Sequence, residues 1–214
     1  MENQIVKIGT FLDESKLLKD LERYKEKAFE LGAANAKIIK TEEIPVDERV
    51  PLKCQIPRCF GYGTSAHCLP NTMKPNELRK HLENYKWAIF FTLNLPTELL
   101  LKNATDKDRI AAFQNIYNIV KSIESMAFYD GHYLAFGLGA GSCRGNFCGQ
   151  YKTCSALEGK SCRFGLQARP SMEAVGINVY KMTAAAGWDI YPIGSHANAE
   201  ETPKAVLAGL VVVE

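Results

Sequence analysis

The chain has 214 residues, 46% of them hydrophobic, and a net charge of +2 from 26 Lys and Arg against 24 Asp and Glu. That length suits a single globular domain spanning 1–214 with a real core. The near-balanced charge excludes the strongly basic footprint of a nucleic-acid binder. No apolar run approaches the ~18 residues of a membrane span, and MENQIVKIGTF lacks the charged start and apolar core of a signal peptide. The expectation is a soluble cytoplasmic protein with no nucleic-acid or membrane partner.

Residues 13–31 read as an amphipathic helix. Leu17, Leu21, Tyr24, Ala28 and Leu31 recur at four- and three-residue steps, with Asp13 as start and Gly32 as end signals. AKIIK (36–40) fits a short strand, and the proline-broken EEIPVDERVPLK an edge strand or loop. Pro75 suits a first helical position, with Leu78, Leu82 and Tyr85 following. WAIFFTL (87–93) is continuously apolar, as in a strand covered on both faces. Thr105 and Asp108 resemble a capping box ahead of a helix reaching about residue 128. YLAFGLGAG (133–141) reads as a strand running into glycines. A helical stretch from Ser171 breaks at Gly176 and is recapped by Asn178, ending at Gly187. WDIYPI and AVLAGLVVVE make two last strands. The fold class expected is α+β: a mixed β-sheet packed with helices, with cysteine-bearing loops forming metal-cluster sites.

All seven cysteines fall in two groups between these elements. Cys54, Cys59 and Cys68 occupy the loop 54–68, and Cys143, Cys148, Cys154 and Cys162 the loop 143–162. An odd number of thiols in a cytosolic setting argues against a disulfide framework. Neither group contains C-x-x-C, the short spacing typical of structural zinc and of thioredoxin-type redox sites. Wide loops with four thiolates suit a larger body, a 4Fe-4S cluster. Between 143 and 170 five basic side chains stand against the single Glu158, fitting the net negative charge of a thiolate-bound cluster. Arg144, Arg163 and Arg169 are the candidate cluster-facing cations there, and Arg58 the counterpart in the first loop. The first group has three thiols, so its fourth position is open to three readings: a thiolate from the other group, His67, or an iron left free for water or substrate.

The remaining motifs are weaker. GLGAGS (137–142) follows a strand but places Ser142 where a dinucleotide fingerprint needs glycine; backbone slimmed for a cluster or a tight turn is the better reading. Ser171 fits an ordinary helix cap. His196 sits in a polar loop; His81 and His132 have no obvious partner.

Cys54, Cys59 and Cys68 followed by Pro70, a glycine-ended strand, four further cysteines and then RPSMEAVGINVYKMTAAAGW together resemble a family of predicted metal-binding proteins of unknown function. The similarity runs from about residue 45 to 190. It implies cysteine-ligated metal, of iron–sulfur type, in proteins common among anaerobes, and it supplies no reaction. The leading expectation is an iron–sulfur protein with one 4Fe-4S cluster, and a second at the three-cysteine group. It serves electron transfer with a redox partner protein, or is the redox module of an oxidoreductase. The alternatives are an enzyme whose open iron takes a small-molecule substrate, in sulfur transfer or hydration chemistry, and a zinc-stabilised binding module.

Overall fold

The structure is a computed structural model that describes residues 14–101, 106–194, 197–198 and 200–214. The expected cap at Asp13, the Thr105 half of the capping box and His196 lie outside the described residues.

Two helices follow the periodicity closely. Helix α1 (Glu14–Glu30) buries Leu17, Leu21, Tyr24 and Ala28. It ends where Gly32 takes φ +99° and Ala33 N–H reaches back to the carbonyl of Ala28 at 2.9 Å, a closure that glycine makes at low cost. Helix α4 (Asp106–Tyr129) buries Ile116, Tyr117, Ile119, Val120, Ile123 and Ala127. Strands β1 (Asn35–Lys40), β2 (Trp87–Leu95), β3 (Phe136–Leu138) and β4 (Ala205–Val212) form one sheet in the order β1-β2-β4-β3.

The sheet lies between two helical layers. On one face Ile89, Phe91 and Leu93 of β2 and Leu207 and Val211 of β4 meet α1 and α4. On the other, Ala88 and Phe90 of β2 and Ala208, Leu210 and Val212 of β4 meet helix α3 (Pro75–Leu82), helix α6 (Val179–Ala185) and the intervening Met172, Val175 and Ile177. Each fully buried Leu, Ile or Phe here contributes about 2 kcal/mol. Burial on both faces explains the unbroken apolar runs of β2 and β4.

The α+β class holds, but all three strand pairings are antiparallel rather than mixed. The only parallel pairing among the described residues is the isolated bridge between Gly139 and Ser171. A continuous apolar strand reports that both faces are covered and carries no information on direction. The expected strand WDIYPI is also absent. Trp188 stacks on Phe90 at 5.2 Å, and the segment lies against the sheet face as a cover instead of pairing, with Pro192 unable to donate a ladder hydrogen bond. The expected strand 133–141 shortens to β3.

The glycines of GLGAG make a contact that neither reading above named, while Gly141, at φ +68°, also makes the expected tight turn. A Cβ at Gly137 would lie 2.2 Å from Cγ1 of Val120, at Gly139 2.7 Å from the Tyr117 ring, and at Gly141 2.8 Å from Phe113. Alternate residues of the strand end thus lie flat along successive turns of α4. The slim backbone serves this helix contact rather than a cluster, and it delivers Ser142 and Cys143 directly after it.

Among the described residues, no helix is long and apolar enough to cross a membrane.

Candidate metal centre

Short helices, not wholly irregular loops, carry the first thiol of each group. Cys54 lies in α2 (Leu52–Gln55), and Cys143 opens α5 (Cys143–Phe147). From α2 the chain folds back on itself: Cys59 N–H donates to the carbonyl of Cys54, Tyr62 N–H to that of Cys59, and Gly61 N–H to the Cys59 sulfur at 3.4 Å. Cys54, Cys59 and Cys68 all line one cavity of about 450 Å³.

Cys143, Cys148, Cys154 and Cys162 line a second, tighter cavity of about 30 Å³. Ser65, Ala66 and His67 from the first loop complete its wall, beside Arg144 and Arg163. His67 therefore faces the four-thiol cavity and not the three-thiol one. Among the described residues, no group of three or more His, Cys, Asp or Glu side chains is placed to hold a metal ion.

The electrostatics of the four-thiol cavity are mixed. Burial pushes the Cys143 thiol up to about 12, against a smaller lowering by the Ser65 hydroxyl. At Cys154 burial also works upward, but backbone N–H groups of Ala66, Leu157 and Ala156, with Arg144, outweigh it and bring the thiol below its ordinary value. Cys148 is raised, first by burial and then by its thiol neighbours Cys162 and Cys154, with Arg144 and Arg163 opposing. Arg144 also holds the loop, donating to the carbonyls of Cys148 at 2.6 Å, Lys152 at 2.9 Å and Tyr151. Arg163 donates to the carbonyl of Thr153 and covers the Tyr151 ring at 4.3 Å.

The other two candidate arginines are engaged elsewhere. Arg169 forms a paired salt bridge with Glu124 of α4, at 2.9 and 2.7 Å, so its charge is already matched. Arg58 is exposed and lies 5.1 Å over the ring of Tyr62. Neither lines a thiol cavity.

The lining of the four-thiol cavity has the donor chemistry of an anionic, sulfur-rich guest. The Ser65 hydroxyl is buried on the cavity wall beside the Cys143 thiol, whose pKa it lowers. Two arginines and no carboxylate line this cavity.

The three-thiol cavity differs. Its lining includes Glu173, which sequence reading missed. Met172 N–H bonds the carbonyl of Gly139, Asp47 N–H that of Gly176, and Asn178 N–H the carbonyl of Pro45. The segment 172–178 is thereby pinned between the end of β3 and the chain that leads into Cys54. Burial raises the Glu173 carboxyl, opposed by its own backbone N–H and the Ser171 hydroxyl. The Cys54 thiol is raised by burial, then by Cys59, Cys68 and Glu173. Ser171 also accepts from Ala174 N–H at 3.2 Å, the capping role expected of it.

Helices on both sides of an antiparallel sheet, with seven free thiols gathered around two adjoining cavities at one end of it, define an α+β protein with a cysteine-rich centre. The chain belongs to the family of predicted metal-binding proteins designated DUF2284, whose profile matches residues 37–211. No curated protein and no solved structure matches it.

Proposed function

We propose that this metal-binding protein is an iron–sulfur protein with two cluster sites. Cys143, Cys148, Cys154 and Cys162 hold a 4Fe-4S cluster, and Cys54, Cys59 and Cys68 hold a second that keeps one position free of protein thiol. The observation that supports this reading is the grouping of thiols: four line one cavity and three line another. A polynuclear body can take its thiolates from wide loops, whereas structural zinc typically uses short C-x-x-C spacings, which neither group has.

A bound cluster of this kind exchanges single electrons, and at an iron without a protein ligand it also acts as a Lewis acid. The chain's own contribution is to bind and shield. Amides of Ala66, Ala156 and Leu157 stabilise thiolate at Cys154. Arg144 and Arg163 offset negative charge at the cavity wall, where the Ser65 hydroxyl lowers Cys143. Electron transfer with a redox partner protein is the activity this division supports, the enclosed four-thiol site storing charge beside the open three-thiol site.

A second reading, an enzyme acting on a small molecule at the open position, is favoured by the size of the three-thiol cavity, about 450 Å³, within the range of small-molecule sites.

Anaerobic purification followed by EPR of the reduced protein tests the proposal. Signals of reduced 4Fe-4S clusters, one lost in Cys154→Ser and the other in Cys59→Ser, are expected. A colourless protein carrying zinc and no EPR signal overturns it.

A further inference from the structure

The two cysteine loops hold apolar side chains out into solvent beside their thiols. Phe60, next to Cys59, is 82% exposed, Ile56 72% and Leu166 83%. Phe60 lines the three-thiol cavity. It also reaches the second loop, since a Cβ at Gly145 would stand 3.8 Å from its ring. Phe60 therefore joins the two thiol groups at the surface. Exposed apolar side chains rimmed by charge mark an interaction surface.

Charge gives the sign of the partner. Residues 51–70 contain Lys53 and Arg58 and no acid, and 143–170 contain five basic residues against Glu158, so the rest of a chain of net charge +2 is net negative. Glu158 is already engaged by Thr153 and Lys160. Arg144 and Arg163 line the four-thiol cavity, whereas Lys53, Arg58 and Lys152 are exposed and line neither thiol cavity. Those three are left to face a partner. A second copy of the chain would set like charges against each other. Nucleic acid and anionic lipid match the sign, but neither takes an electron from a centre beneath the contact.

We propose that this face docks an acidic one-electron carrier protein, with Phe60 at the centre of the contact and Lys53, Arg58 and Lys152 on its rim. The inference rests on the electron-transfer reading above and names the kind of partner that reading requires. One electron passes from the reduced protein to the carrier, which is reduced by one, and no other reactant takes part. Burial of Phe60 against the carrier supplies tightness. The rim cations supply orientation and encounter rate.

The probes are a plant-type 2Fe–2S ferredoxin and a flavodoxin, both acidic, and cytochrome c, a basic carrier. Binding to the anaerobically purified protein is measured by calorimetry at rising salt. At least one acidic carrier is expected to bind saturably, about tenfold more weakly at ~0.3 M than at ~0.05 M salt, with cytochrome c not binding. Lys53→Glu and Lys152→Glu should each weaken it severalfold, and Phe60→Ala severalfold without changing the salt dependence. All three side chains are exposed, so the variants should keep their fold and iron content. Lys19→Glu changes the total charge equally on α1, beside Asp20, which His132 links to Glu214 at the other end of the sheet, and should leave binding as it was. Binding of neither acidic carrier, equal binding of cytochrome c, indifference to the loop variants, or an equal response to Lys19→Glu overturns the proposal. So does tighter binding of a single-stranded oligonucleotide or of phosphatidylserine vesicles. Iron and EPR on the same preparation separate the two claims. Clusters without carrier binding defeat this inference alone, and carrier binding without clusters defeats the iron–sulfur reading alone.

Discussion

The sulfur of Cys68 lies 3.4 Å from the hydroxyl of Ser142, the residue immediately before Cys143. The last thiol of the first group thus lies beside the residue before the first thiol of the second, and it is close enough to raise Cys143. Gly61 lies against both, since a Cβ there would stand 3.3 Å from the Ser142 hydroxyl and 3.4 Å from the Cys68 sulfur. Clusters held by the two groups would be neighbours. The EPR spectrum of the fully reduced protein is expected to show spin–spin broadening that vanishes in Cys154→Ser, together with about half of the iron. Two sharp, independent signals in the unaltered protein would contradict the adjacency.

Thiol reactivity in metal-free protein should follow the local electrostatics. Thiolate is the reactive form. Cys154 is lowered by backbone amides that overcome burial, so its thiolate fraction below pH 9 exceeds that of an ordinary cysteine. Burial raises Cys143 to about 12, so it stays protonated there. Mass spectrometry after brief alkylation at mildly alkaline pH should find Cys154 modified early and Cys143 last. As pH rises past 9, Cys143 opposes folding, because the unfolded chain then binds fewer protons than the folded one. Metal-free protein should therefore lose stability between about pH 9 and 12 in denaturant titrations.

Arg144 closes the second loop by donating to three carbonyls. Arg144→Met removes those donors while keeping much of the apolar stem. The expected cost is about 1–3 kcal/mol in chemical denaturation, with faster loss of iron to a chelator. Unchanged chelation kinetics would mean that the loop holds its shape without the guanidinium.

The contact between the β3 end and α4 admits no side chain. Gly137→Ala should destabilise by about 1–3 kcal/mol through overpacking against Val120. Adding Val120→Ala removes the Cγ1 that clashes, so the double variant should cost less than the sum of the singles. Strict additivity would place the strain elsewhere.

His132 is buried, with Nδ1 2.8 Å from Glu214 and Nε2 3.3 Å from Asp20. Asp20 also pairs with Lys16 and Arg23, and Tyr24 donates to Asp130. The network ties α1 to the chain end beyond β4. His132→Leu leaves Asp20 buried with one partner fewer and should cost about 2 kcal/mol, read by urea denaturation.

Local features of the fold were legible in the sequence because their causes are local. The Gly176 break, with φ +96°, and the Asn178 cap, which accepts from Lys181 N–H at 3.0 Å, each need only a few neighbouring residues. The sorting of the cysteines into two groups was legible for a similar reason, since each group occupies one short stretch of chain, whereas their division between two cavities was not. What escaped depends on residues far apart in sequence. His132 has partners 112 and 82 positions away. Ala66 N–H serves a sulfur in the other loop. Glu173 reaches the Cys54 cavity only because β3 and the Pro45–Asp47 stretch pin its segment there. The glycines of 137–141 carried a clear signal, but their partner was a helix face and no local rule names it.

The central claim is that these thiols enclose inorganic clusters. Iron and acid-labile sulfide per chain, measured on protein purified without oxygen, test it most directly. Two clusters predict about eight of each. Protein with full zinc occupancy and no sulfide, or with neither metal nor sulfide under the same handling, would contradict it.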